Sequence, residues 1–182
     1  MRITLTILLI TCTAGSVHAQ PAHSNTSVSA IVGAGQTWDD ESSLGRGWLA
    51  GAAIDRRVIA GLHLEVSVEM LTHDRAEGFL RADGQTVIGG ASLLQRFGGR
   101  RAQPYIVAGA TVGRHSGSRT FGGLRSDESS TDTGWRTGVG LALRAGTKYE
   151  ITPEVRMNGF FIDTDSHPAT LLSFGVRFAV RL

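Results

Sequence analysis

Two groups of side chains in this sequence carry residue types that chemistry needs. His115, Ser116 and Ser118 lie close together, with Asp127 and Glu128 a short way on. An imidazole, a hydroxyl and a carboxylate are the parts of a nucleophilic hydrolase, provided the base reaches the hydroxyl and the acid orients the base. Neighbouring His and Ser do not by themselves supply that geometry, and residues 126–132, rich in Ser and Asp, read as an exposed loop. The second group is His63, Glu65 and Glu69, which alternate positions place on one strand face as a metal or proton site or, more simply, as part of a hydrogen-bond network. Elsewhere, Gly33-Ala34-Gly35 lacks the third glycine and the following helix of a phosphate-binding loop. The six histidines are scattered, and Cys12 is the one cysteine. No catalytic, metal-binding or cofactor-binding residue is therefore assigned, no cofactor is expected, and the chain is read as a non-enzyme.

The elements that carry these residues are strands. Leu62, Leu64, Val66, Val68 and Met70 fall on one face of a period-two pattern, with His63, Glu65, Ser67 and Glu69 on the other. Near the end, Leu172, Phe174, Val176, Phe178, Val180 and Leu182 oppose Ser173, Gly175, Arg177, Ala179 and Arg181. A helix would mix these sets around its circumference, whereas a strand separates them. Six further stretches fit the same template, at about 27–38, 46–55, 86–97, 103–114, 134–144 and 153–163. The links after the second, fourth and sixth strands are compact (55–60, 98–102 and 145–152). Those after the third and fifth are long and polar (72–85 and 115–133), and those after the first and seventh (39–45 and 164–169) are shorter but also polar. Tight turns at one end and long connections at the other belong to an up-and-down barrel rather than a sandwich.

Composition agrees with a folded β chain. Of 182 residues, 24 are Gly and only 4 are Pro; 41% are hydrophobic and 19% charged. No run of eighteen apolar residues exists to make a membrane helix. A formal net charge of +2 gives little pull on nucleic acid, and no nucleic-acid partner is expected. The amino terminus reads as an export signal over 1–19: Met1-Arg2 is positive, 3–12 is apolar, and Val17-His18-Ala19 offers small residues for cleavage before Gln20. Residues 20–26 are a polar lead-in and 27–182 the barrel domain.

The apolar faces could pack a core or meet lipid. The opposite faces are rich in Gly and Ser, which a narrow barrel interior needs, and carry charges of both signs that could pair there. Glu65, Glu69, Arg96, Arg136, Arg156 and Arg177 are the expected interior polar network. Trp38, Trp48, Trp135, Phe161 and Phe178 lie towards the ends of apolar faces, as an aromatic girdle at two membrane interfaces would. The fold expected is all-β, an eight-stranded antiparallel up-and-down transmembrane β-barrel.

The sequence resembles the small outer-membrane β-barrel family, the group that includes the eight-stranded domain of outer-membrane protein A. The likeness covers about 27–182 and is carried by Pro104-Tyr105-Ile106-Val107-Ala108-Gly109-Ala110, by the 138–143 strand with its turn into Val155, and by the closing stretch Phe174 to Leu182. It implies an outer-membrane, porin-like monomer surrounded by outer-membrane lipid, with a narrow side-chain-filled interior and outer loops that meet an unnamed partner. It further implies that the barrel assembly machinery reads residues 170–182, although family members usually end in Phe and this chain ends in Leu182. Two other functions stay open. One is a secreted or periplasmic soluble β-barrel for a lipophilic ligand, which requires an apolar interior. The other is an outer-membrane lipid A-modifying hydrolase with its site near His115 and Ser118, though the His-x-Ser-Asn pattern expected of the deacylases is missing.

Overall fold

Alternating side chains need two different surroundings, and a closed sheet supplies them as an inside and an outside. In the computed structural model of the chain, residues 25–39, 42–77, 80–98, 101–121, 124–161 and 169–182 are described. The expected export signal (1–19), residues 20–24 of the lead-in and residues 164–168 of the last link lie outside them. Eight strands follow in order: β1 (Thr26–Asp39), β2 (Ser42–Ile59), β3 (Leu62–Glu77), β4 (Leu80–Arg96), β5 (Ala102–Phe121), β6 (Leu124–Ala145), β7 (Tyr149–Phe161) and β8 (Ala169–Arg181). Each pairs antiparallel with its sequence neighbour. The first and last strands close the barrel, from Ser27↔Arg181 to Trp38↔Thr170. The Leu182 amide donates to the Thr26 carbonyl at 3.1 Å, which brings both ends of the barrel domain to one side.

On that side each hairpin turns within a few residues. Each of the three turns holds one glycine at positive φ: Gly61 (78°), Gly98 (80°) and Gly146 (73°). A side chain there would be strained, so glycine permits the sharp reversal.

The opposite end departs from the sequence reading. The stretches expected as long loops at 72–85 and 115–133 are mostly strand. Pairing of β3 with β4 continues to Glu77↔Leu80, of β4 with β5 to Leu80↔Phe121, and of β5 with β6 to Phe121↔Leu124. β6 alone has 22 residues, about 70 Å at strand rise. About ten tilted residues suffice to cross a bilayer core. Beyond that length both faces meet water and apolar alternation has no cause, so the sequence signal fades while the backbone ladder persists.

Burial assigns the faces. Val32, Ile54, Val66, Val68, Ile106 and Val139 point outward and are each more than half exposed, whereas Glu65, Glu69 and Arg136 point inward and are at most 1% exposed. This arrangement is inverted relative to a water-soluble core, and it removes the condition that the soluble lipophile-carrier reading required. The interior is not uniformly polar, however. Ile31, Leu49, Ala53, Leu71, Ile88, Phe160 and Leu171 form one buried apolar cluster, and Leu94, Tyr105, Val107 and Ala142 a second. An inward position needs only to be filled, and a level without charge partners is filled best by hydrocarbon.

Candidate functional site

The central interior layer is built from inward positions of β3, β5, β6, β7 and β8. Arg136 of β6 places Nη1 2.9 Å from Glu69 Oε1 and donates through Nε to Asn158 Oδ1 at 2.8 Å. Its Nη1 also donates to the Ser67 hydroxyl. Arg156 of β7 reaches three carboxylates: Glu65 at 2.9 Å, Glu69 at 3.1 Å and Glu154 at 3.1 Å. Arg177 of β8 bridges Glu65 and Glu154, the latter at 3.2 Å. The Tyr105 hydroxyl donates to Glu154. Three guanidinium groups thus face three carboxylates, with no net formal charge. Desolvation costs several kcal/mol per ion, so such charges persist in an interior only when paired and hydrogen-bonded.

Arg96, expected in the same network, stands apart from this layer. It belongs to a second layer at the tight-turn end, where its Nη1 lies 2.9 Å from Glu150 Oε1 and its Nη2 3.7 Å from Asp55 Oδ1. Arg181 shares Glu150 at 2.8 Å. Asp55 also accepts from Ser27 and lies 2.8 Å from His63 Nδ1. His63 therefore joins Asp55, while Glu65 and Glu69 are engaged by arginines; the three residues of one strand face serve two different layers. Among the described residues, no group of three or more His, Cys, Asp or Glu residues is arranged to hold a metal ion.

A third polar cluster lies at the outer end, over the Phe160 ring. Thr86 Oγ1 is 3.0 Å from His115 Nδ1, His115 Nε2 is 3.7 Å from Asp132 Oδ2, and Ser130 donates to that oxygen at 2.9 Å. The His115 and Phe160 rings meet edge to face at 5.0 Å. Ser118 is three positions from His115 on the same strand, so period two sends it to the other face. The hydrolase alternative had its site near His115 and Ser118; the hydroxyl that meets this imidazole is instead that of Thr86. Thr86, Asp132, Asp55 and Glu150 were absent from the sequence-derived network. Asp55 and Thr86 do sit on the face that alternation marks as inward, the one signal that could have found them.

Outside, Trp48, Phe161 and Phe178 are 78%, 61% and 49% exposed. Trp135 lies over Gly159 of β7, where a Cβ would come within 2.5 Å of the indole. Trp38 lies on β1 opposite Thr170.

Solved structures with this architecture share the whole barrel. Neisserial surface protein A matches at a TM-score of 0.69 and 18% identity, over 87% of this chain and 98% of its own. A major outer membrane protein from Thermus thermophilus matches at 0.61 and 14%, over 86% and 99%. Ail, the attachment invasion locus protein of Yersinia pestis, matches at 0.57 and 16%, over 86% and 99%. The chain has the fold of the small eight-stranded outer-membrane β-barrels. No protein-family model matches it, and no curated protein matches it significantly in sequence. Among these neighbours, the Thermus thermophilus protein and OprG from Pseudomonas aeruginosa are outer-membrane proteins. For an outer-membrane barrel, the exposed apolar band is the lipid face and the buried ion layers are the filling of its lumen.

Proposed function

We propose that this chain is a monomeric, non-enzymatic outer-membrane barrel whose work is done by the paired strands that rise beyond its lipid band. It reaches the membrane through the export signal at 1–19 and is assembled from its last strand, residues 170–182. The observation that carries this reading is the filled lumen. The Arg136, Arg156 and Arg177 cage with Glu65, Glu69 and Glu154 occupies the middle, and the cluster around Phe160 lies towards the outer end. Such a filling favours a surface role over a wide solute channel. Above it, β3 to β6 form a continuous four-stranded platform, paired as far as Leu80↔Phe121 and Phe121↔Leu124. This platform is the surface that the outer loops were expected to supply to a partner. Membrane fractionation with heat-modifiable gel mobility tests the location. Protease cleavage of intact cells within the β5–β6 arm tests its exposure. A stable large conductance in planar bilayers would overturn the filled-lumen reading. Turnover of lipid A that is lost in His115→Ala but kept in Ser118→Ala would replace the non-enzymatic role with a hydrolase at the Thr86, His115 and Asp132 cluster.

A further inference from the structure

We draw no further inference here: the strongest candidate, the edge of β6 turned away from β5 over 124–132, which runs past the last pairing with β7 at Thr133↔Phe161 and has no described strand along it, carries nothing, because nothing in the structure shows what covers it.

Discussion

Replacing Arg156 by Met removes one cation from the cage and keeps most of the side-chain volume. Glu65, Glu69 and Glu154 are then left with Arg136 and Arg177, so three carboxylates face two guanidinium groups. The Arg156 side chain is 2% exposed and those of its partners at most 3%, so water cannot screen the imbalance. Breaking a buried pair by removing one partner costs about 3–5 kcal/mol. With a urea slope of about 1–3 kcal/mol per molar, the unfolding midpoint in lipid vesicles should fall by at least about 1 M. Tryptophan fluorescence reads the transition, and gel mobility confirms that the starting state is folded. The decisive comparison is Glu65→Gln with Arg156→Met. It leaves Arg136 and Arg177 against Glu69 and Glu154, again without net charge. The double variant should be more stable than Arg156→Met alone, with a coupling of about 0.5–3 kcal/mol. An Arg156→Met midpoint within about 0.3 M of the parent would refute the cage as a set of mutually dependent charges, on the slope just used. So would strict additivity in the double variant.

Other substitutions test other parts of the structure. Val68→Arg puts a charge in the middle of the outward apolar face and should cost about 2–4 kcal/mol in a bilayer; a cost within about 0.5 kcal/mol would mean that this face meets water. Gly140→Ala places a Cβ about 2.5 Å from the Tyr105 ring, so the ring must move away from Glu154; a loss of about 1–3 kcal/mol is expected in the same unfolding assay. Shortening the β5–β6 arm by removing 119–126 takes away residues whose strand pairing is confined to the arms. The truncated protein should keep heat-modifiable mobility and a midpoint close to the parent's, whereas failure to fold would show that the platform supports the barrel.

The membrane-crossing part of each strand was legible because lipid on one side and a packed lumen on the other impose opposite demands on successive residues. Leu62 to Met70 and Leu172 to Leu182 show this most clearly. The arms beyond were not legible, since residues 115–133 carry little apolar alternation to read. Alternation also states which face a residue occupies but not its height. Glu65 and Arg156 are separated by 91 positions and meet only because strand registers place them at one level. The same limit explains why Arg96 was grouped with Arg136, Arg156 and Arg177: all four point inward, but the register sets Arg96 at a different depth. Inward Ile31, Leu71, Ile88 and Leu171 were missed for a related reason. Apolar residues had been allotted to the outer face, while a lumen closed to water accepts hydrocarbon wherever no ion pair stands.

The glycine content then has a structural cause beyond the turns. A Cβ on Gly51 would come within 2.8 Å of Glu69 Cγ, one on Gly90 within 3.1 Å of Arg136 Nη1, and one on Gly138 within 3.1 Å of Arg156 Cγ. Three members of the cage are thus seated against wall positions that have no side chain. An eight-stranded barrel has an interior just wide enough for side chains to fill. If its walls carried ordinary residues, long arginines could not lie across it and bring their charged ends together. Glycine on one strand and a long ion on the next are therefore a single packing solution. At Gly51 and Gly138 a Cβ would also strike backbone carbonyl oxygen, whereas at Gly90 its nearest atoms are the far end of Arg136. Gly90→Ala should therefore be rescued in part by Arg136→Lys, although lysine forfeits the guanidinium fork. Equal destabilisation by Gly90→Ala in the parent and in the Arg136→Lys background would separate the glycine from the cage.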